Sequence, residues 1–563
     1  GSTAAGATVS VIYLKDETTA SAGGTLEGAS ITVQAEADER LVMSVMSAAV
    51  SGSTAAGASV GTIVFKGITR AIVLPGVQLT AANGGIKVSA QSNEKVNLTV
   101  AGAAGSGSAS VAGSFAVLIM NVTTQSMVRD SNAAAKGSLT AAGSVEISAA
   151  DKTEFDLIVG GASFGGSAAV GAAIGTTVYR NTVTAMIGNN NIVVGKNIRV
   201  TAAADRNIRS SAVMAGVGGS ASVNGSILII SVGAATTDQD ADKANSNGGS
   251  NSSTNASSDA AKMGQSAVDA GYGQKIGAGS SNQYVDEVNN ELAGLKYETS
   301  GLVSGYFNQT NVSDETYAGI GNGGSTTAND GGILVEASEK TTIHAAAGTA
   351  NVSGSASVGI SMIVAIVNGT AQADLGGTVE AVNGNIQVHG INELNIEKFM
   401  AVGGGASGSV SVAGTITVLK VGERTIARIA NGANVTAAGS VVVLAESVQD
   451  ILVINGNVTA SGTVSAGVAT NVIIFANETN SYINENAKAT AKGLLAGVDF
   501  IDGNITSSVD SGYKNLNGSS SQNSDHVNST SNVTKQTGVL VGARSSQKIR
   551  SWVISGAASG TVA

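Results

Sequence analysis

Apolar and polar residues alternate along much of the chain, in short stretches that end at glycine, asparagine or aspartate. β-Branched residues dominate stretches such as Ser226–Ser231 and Thr415–Val418, and they suit a pleated strand better than a helix. Corners such as Asn83–Gly85 and Asn383–Asn385 separate the stretches, and Gly and Asn tolerate the positive-φ conformations of tight corners. The pattern predicts many β-strands joined by tight turns.

One motif, a run of small residues leading into an apolar strand, recurs along the chain. It reads GSTAAGASVGTIVF from Gly52 and GSASVAGSFAVLIM from Gly107. Its copies begin at Gly1, Gly52, Gly107, Gly166, Gly219, Gly354, Gly408, Gly462 and, as a first fragment only, Gly560. Successive starts therefore differ by 51, 55, 59, 53, 135, 54, 54 and 98 residues.

A second motif, a short apolar strand ending in a small residue, keeps the same rhythm. It reads IKVSA from Ile86 and VEISA from Val145, and its starts are Ile31, Ile86, Val145, Ile198, Ile333, Ile386, Val441 and Val539. These starts differ by 55, 59, 53, 135, 53, 55 and 98 residues. Because two motifs share one irregular spacing, the chain is built from units of about 54 residues. Such a unit buries its apolar face only by stacking on its neighbours.

The repeated unit predicts an all-β fold, an elongated β-solenoid. A right-handed parallel β-helix is the commonest such architecture and is the expectation here; one wide coil or two narrower coils per unit both remain open. The two long intervals place insertions at 236–313 and 494–537. Solenoid repeats are then expected over 1–235, 314–493 and 538–563. Because neither end carries a polar cap, we expect a piece of a longer array.

The two insertions have different patterns. In the first, apolar residues recur at helical spacing and predict a helix over about Asn282–Tyr297, with a shorter one possible over Ala260–Ala270. The second contains SSSQNSDHVNSTSN from Ser519, which predicts a mostly polar loop. The sequence therefore predicts one partly helical insertion and one loop insertion.

Composition narrows the function. The net charge is −10 and the 30 Lys and Arg are scattered, which argues against nucleic-acid binding. The absence of cysteine excludes disulfides and thiolate metal sites. No stretch reaches the roughly 18 apolar residues of a membrane-spanning helix. The first 30 residues do not have the pattern of a signal peptide.

Signs of catalysis are thin. His344, His389 and His526 lie far apart in sequence, and a structural or solvated role is favoured for each. A GxSxG match at Gly161–Gly165 and two GxGxxG matches, from Gly319 and from Gly403, are expected by chance in a chain so rich in Gly and Ser. The acidic cluster Asp238, Asp240 and Asp242 is typical of a solvated loop rather than a calcium site. The sequence predicts no enzyme activity, no catalytic residue, no metal site and no cofactor.

Aromatic residues are concentrated around the first insertion and give the main candidate site. Tyrosine combines contact area with a polar tip and is enriched in interfaces. The candidate partner-binding residues are Tyr272, Tyr284, Tyr297, Tyr306 and Phe307, and Tyr317 lies close behind them. The alternative is that these rings pack the insertion's own core or attach it to the solenoid.

The combination SGSASVAGSFAV, NVTTQSMV and VEISA within one unit resembles repeats of leukotoxin-type filamentous adhesins, large β-helical proteins of Gram-negative anaerobes exported by two-partner secretion. The resemblance implies a secreted or cell-surface virulence protein that adheres to host cells or, as a toxin, kills leukocytes. It implies an outer-membrane secretion partner and a host cell-surface protein or glycan as ligand. It supplies no catalytic motif. One alternative is a purely structural spacer of a surface filament; a second is a β-helical polysaccharide-active enzyme, for which no carboxylate cluster recurs at repeat spacing.

Overall fold

The computed structural model describes residues 1–233, 315–510 and 526–561. Within these ranges the chain is all β, and its parallel strands stack into the three walls of a solenoid. Each repeat contributes one strand position to each wall. The predicted parallel β-solenoid is therefore confirmed, and the question left open by the sequence is answered, because one repeat makes one wide coil.

The first wall, sheet A, is made of long strands that begin at the first sequence motif. In two of its eight positions the strand is divided into two segments. The strands are β1 Thr3–Ala22, β4 Thr54–Val73, β7 Ala109–Val128, β10 Ala168–Ile187, β13 Ala221–Val232 with β14 Glu315–Ile320, β17 Ala356–Leu375, β20 Val410–Ile429, and β23 Val464–Phe475 with β24 Glu478–Ile483. We number the coils 1 to 8 in the order of these positions.

The second wall, sheet B, is short, and the third, sheet C, is as long as sheet A. Sheet B contains β2 Thr25–Gly28, β5 Gln78–Ala81, β8 Gly137–Ala141, β11 Asn191–Gly195, β15 Ser325–Ala328, β18 Thr378–Ala381, β21 Asn434–Ala437 and β25 Lys488–Ala491. Sheet C contains β3 Ile31–Ser51, β6 Ile86–Ser106, β9 Val145–Gly165, β12 Ile198–Gly218, β16 Ile333–Ser353, β19 Ile386–Ser407, β22 Val441–Ser461 and β28 Val539–Ser559. Every sheet C strand begins at a start of the second motif.

A corner of two residues, such as Gly166–Ser167, joins each sheet C strand to the next sheet A strand. We call this line of corners the apex. Successive coils stack so closely here that a side chain on the first corner residue would meet the backbone of the preceding coil. A Cβ added to Gly165 would lie 1.8 Å from the carbonyl oxygen of Ala168, and one on Gly166 would lie 1.9 Å from that of Gly107. The glycines of the first motif are therefore required by the close approach of the backbone.

Away from the apex, inward side chains fill two apolar cores. One lies beside sheet B and contains Leu79, Leu139 and Val193. The other lies between sheets A and C and contains Leu98 and Phe155. Equivalent residues of successive coils stack in register, so each core continues along the rod and no coil is stable without its neighbours.

Asp and Asn side chains accept hydrogen bonds from the backbone at corners between sheets A and B. The backbone N–H of Asn189 donates to Oδ1 of Asp130 (2.6 Å). The N–H of Asn322 donates to Oδ1 of Asn189 (2.8 Å), and that of Gly377 to Oδ1 of Asn322 (3.0 Å). In coils 3 to 5 one polar side chain thus holds the corner of the next coil, which explains why asparagine recurs at these turns.

The first insertion divides a sheet A strand without altering its register. Val232, the last residue of β13, pairs with Tyr179, and Glu315, the first of β14, pairs with Thr182. Only two residues of the partner strand β10 therefore lie between the point where the chain leaves the rod and the point where it returns. The helices predicted over Asn282–Tyr297 and Ala260–Ala270 lie outside the described residues.

The second insertion corrects the prediction of a loop over 494–537. It contains β26 Val498–Asp510 and β27 His526–Gln536, which form an antiparallel hairpin. Phe500 packs with Val442, Leu444 and Leu540 on the outer face of sheet C. The polar tract that suggested a loop includes the first seven residues of β27, whereas the apolar residues that fix the hairpin to the rod lie at its base.

Candidate functional site

The outer face of sheet A is apolar where a solvated wall would be polar. In β7, Leu118 and Met120 point into the core, whereas Val117 and Ile119 belong to a separate apolar cluster on the other side of the sheet. The same arrangement recurs in β17, where Ile363 faces inward and Val364 faces outward. We call this surface the apolar outer face. It extends from the apex to the row that contains Ile119.

Exposure varies across the apolar outer face. Near its centre Val117 and Ile229 are fully buried. Closer to the apex Val111, Val170 and Val223 are exposed by 48%, 43% and 44%. The exposed apolar side chains closer to the apex form a contiguous patch of the kind that is typical of an interaction site. The apolar outer face is therefore the strongest candidate surface on the described rod.

The first insertion leaves the rod at the edge of this surface. Val232 ends β13 beside Ile229, and the partner strand carries Val178 in the same outer cluster. The chain returns at Glu315 in the same sheet. Whatever residues 234–314 contact, the fold therefore anchors both of their ends at the apolar outer face.

The sequence contains a signal for this surface. The runs FAVLIM in β7 and MIVAIV in β17 are continuously apolar rather than alternating. Such runs are typical of strands buried on both faces. Only every second residue of each run contributes to the core.

A second unusual feature lies inside the rod, where a polar layer separates the two apolar cores. On sheet C, Glu94 and Asp151 face inward from neighbouring coils and are almost completely buried. The hydroxyl of Thr153 lies 3.0 Å from Oε2 of Glu94 and 3.1 Å from Oδ1 of Asp151. Burial raises the pKa of Glu94 to about 10, and the negative charge of Asp151 adds to the rise.

Asp151 accepts hydrogen bonds from more side chains than Glu94 does. Ser92 donates to its Oδ2 (2.7 Å), and Nδ2 of Asn181 donates to its Oδ1 (2.7 Å). Burial raises its pKa, while these donors and the positive charge of Arg206 oppose the rise. Burial therefore favours the protonated form of both carboxyls, and the hydrogen-bond donors and Arg206 counteract this effect at Asp151.

Arg206 supplies the positive charge of this layer. Its Nη1 donates to Oε1 of Glu339 at 2.6 Å, and both side chains are 1% exposed. Its guanidinium also lies 5.6 Å from the ring centroid of Tyr179. The polar layer thus continues from coil 3 into coil 5.

Glu423 extends the layer into coil 7. Nε2 of Gln449 donates to Oε2 of Glu423 (3.3 Å), and Nδ2 of Asn477 donates to Oε1 of Gln449 (2.8 Å). Burial and the negative charge of Glu339 raise the pKa of Glu423 to about 8. Because these acids are sealed inside the rod, the layer acts on stability rather than on an external substrate.

The candidate partner-binding residues Tyr272, Tyr284, Tyr297, Tyr306 and Phe307 lie outside the described residues, as do Asp238, Asp240 and Asp242. Tyr317 is described. It lies in β14, and its hydroxyl donates to Oδ2 of Asp374 (3.3 Å).

The histidines and glycine motifs have structural surroundings. Nε2 of His344 lies 3.4 Å from Oε2 of Glu397, and Nδ1 of His389 lies 3.7 Å from Oε2 of Glu336, each pair on adjacent coils. Ser163 of the GxSxG match is buried near the apex, and its hydroxyl donates to Oδ1 of Asn224 (3.3 Å). His526 begins β27. The GxGxxG match from Gly319 covers the corner after β14, and that from Gly403 covers the end of β19 and its apex corner.

A groove of 710 Å³ runs along the corner between sheets B and C. Its walls include Asn197, Arg199, Asn385 and Leu495. The amide oxygens of Asn197 and Asn385 already accept hydrogen bonds from backbone N–H groups of the next coil. These amides serve the fold.

Among the described side chains, no three or more histidines or carboxylates are grouped as a metal ion would require. Nor do the described ranges contain a helix with the length and apolar character to cross a bilayer. No protein-family model matches the chain, and neither a curated protein nor a solved structure matches it significantly.

Proposed function

We propose that the chain is a segment of a secreted or surface-exposed bacterial adhesin of the leukotoxin type. The rod holds its insertions at fixed positions, and the first insertion contacts a host cell-surface protein or glycan. Export of the full-length protein would use an outer-membrane secretion partner. The proposal contains no catalytic step.

One observation carries the proposal: the coil register continues unchanged across the first insertion. β17 pairs with β13 through Val232 and with β14 from Thr316 onward, as one strand would. A segment that contributes nothing to the continuity of the sheet A ladder is free to carry a binding function, as insertions in solenoids often do.

Coil 8 provides the design for a clean deletion. There the divided strand is bridged by Ala476 and Asn477, between Phe475 and Glu478. Replacing residues 233–314 with Ala-Asn should therefore close coil 5 in the register that coil 8 already uses. A matched control replaces residues 492–538 with Ala-Gly-Ser, the residues that join β21 to β22.

The test is capture of each variant by host-cell membranes, with the intact chain as reference. We expect the intact chain and the control lacking the hairpin to bind, and the variant lacking 233–314 to lose binding. Retained binding without 233–314 contradicts the assignment to the first insertion. Absence of binding by the intact chain favours the second candidate, a structural spacer, for which the uninterrupted register is the supporting observation.

A further inference from the structure

The part of the apolar outer face next to the apex forms a continuous uncharged strip, which we call the valine margin. It consists of the outward residues among the first five of each sheet A strand. They are Thr3, Ala5, Ala7, Thr54, Ala56, Ala58, Ala109, Val111, Gly113, Ala168, Val170, Ala172, Ala221, Val223, Gly225, Ala356, Val358, Ile360, Val410, Val412, Gly414, Val464, Ala466 and Val468. All eight coils contribute, and no member carries a charge.

These side chains do not serve the core. The inward residues of the same strand ends are small and polar, such as Ser110 and Ser222, because the two walls nearly touch at the apex. The outward valines stand on the opposite side of the sheet. Val170 and Val223, for example, are exposed by 43% and 44%. Their recurrence in one register row is therefore not explained by packing within the molecule.

The size of the valine margin matches a protein interface. The first five residues of a strand span about 17 Å, and eight strands span about 38 Å across the sheet, which gives about 650 Å². Stable interfaces bury about 600–1,000 Å² on each partner. An uncharged surface of this area is depleted of charge in the way that interface centres are.

We propose that the valine margin is a self-association surface, on which a second copy of this chain docks through its own valine margin. The rows repeat at the spacing of the coils, about 4.8 Å. A second rod presents the same spacing, so ridges and grooves match along the whole length of the contact. A two-fold arrangement places identical apolar strips against each other, as in most homodimers.

Charges of opposite sign on neighbouring coils test the proposal without repelling each other. Val170 and Val223 are register partners in coils 4 and 5, and the test variant carries Val170→Glu with Val223→Lys. The matched control carries Gln91→Glu with Ala150→Lys, register partners on the outer face of sheet C. Melting curves of all three proteins check that each remains folded.

Sedimentation equilibrium of the intact chain and both variants gives the result. We expect the intact chain and the sheet C control to dimerise with equal affinity. In the valine-margin variant we expect a dissociation constant at least about tenfold higher, because the dimer would have to bury a Glu–Lys pair in place of two valines. A monomeric intact chain at the highest concentration overturns the proposal. So does a valine-margin variant that dimerises as well as the intact chain, or a control that is weakened equally.

Discussion

Arg206 on β12 and Glu339 on β16 form a fully buried ion pair although 133 residues separate them in the chain. The pair joins coil 4 to coil 5 across the first insertion. It also provides the nearest positive charge to Asp151 in coil 3. The interior of this rod therefore depends on charge balance between coils as well as on apolar stacking.

Replacing Arg206 with Leu should destabilise the rod by about 3–5 kcal/mol, because Glu339 and Asp151 would then lack their buried counter-charge. Urea unfolding followed by circular dichroism measures the loss. The double variant Arg206→Leu with Glu339→Leu should recover part of it, since one unpaired charge is removed. A single variant as stable as the parent, or a double variant less stable than the single one, would contradict this account.

Rod stability should fall as the pH rises from weakly acidic to alkaline. Burial raises the pKa of Glu94 from its ordinary value of 4.5 to about 10, so the folded state holds this proton more tightly than the unfolded state. The resulting stabilisation is complete below pH 4.5 and is lost as the pH approaches 10. Glu39 and Glu423, whose pKa values are raised to about 7 and about 8, add losses within the same window.

Melting temperatures measured across that window test the prediction. Glu94→Gln should melt several degrees higher than the parent at the alkaline end, and its dependence on pH should be flatter. The matched control is Glu380→Gln in β18, where the side chain is exposed. A Glu94→Gln curve that runs parallel to the parent's would show that Glu94 does not hold the proton.

The sequence predicts the solenoid well because its signal is periodic. Each second-motif start, Ile86 and Val145 among them, is the first residue of a sheet C strand. The polar layer was not predicted, although its signal is present. Glu94 lies two and four residues before Val96 and Leu98, which face the core, so its side chain points to the same side of the strand. Acids in strands usually face solvent. Only the stacking of coils reveals that Asp151 and Arg206 lie inside the rod on the neighbouring coils.

The hairpin of the second insertion should depend on one aromatic anchor. Phe500 is buried against Leu444 and Leu540 at the base of the hairpin, and its ring lies over Gly542. An isolated two-stranded hairpin is marginally stable in water. Phe500→Ala should therefore lower the free energy of local opening by about 2 kcal/mol or more.

Hydrogen exchange of the backbone amides of β26 and β27 measures this change. Protection should fall in both hairpin strands and remain unchanged in β22. The control is Ile505→Ala in β26, whose side chain is 67% exposed. If Ile505→Ala lost as much protection as Phe500→Ala, the hairpin would not be anchored through its base.

The apex should tolerate no side chain at its corner glycines, although glycines on the outer face beside it should accept one. A Cβ on Gly219 would lie 1.9 Å from the carbonyl oxygen of Gly166 in the preceding coil, so the backbones of two coils would have to separate. A Cβ on Gly225 meets nothing closer than 4.0 Å. Gly219→Ala should therefore cost about 2 kcal/mol or more. Gly225→Ala should be neutral or slightly stabilising, because alanine loses less backbone entropy on folding.

The urea concentrations at which the two variants are half unfolded test this prediction. Equal midpoints would mean that successive coils are not in backbone contact at the apex, and the requirement for glycine in the first motif would need another cause.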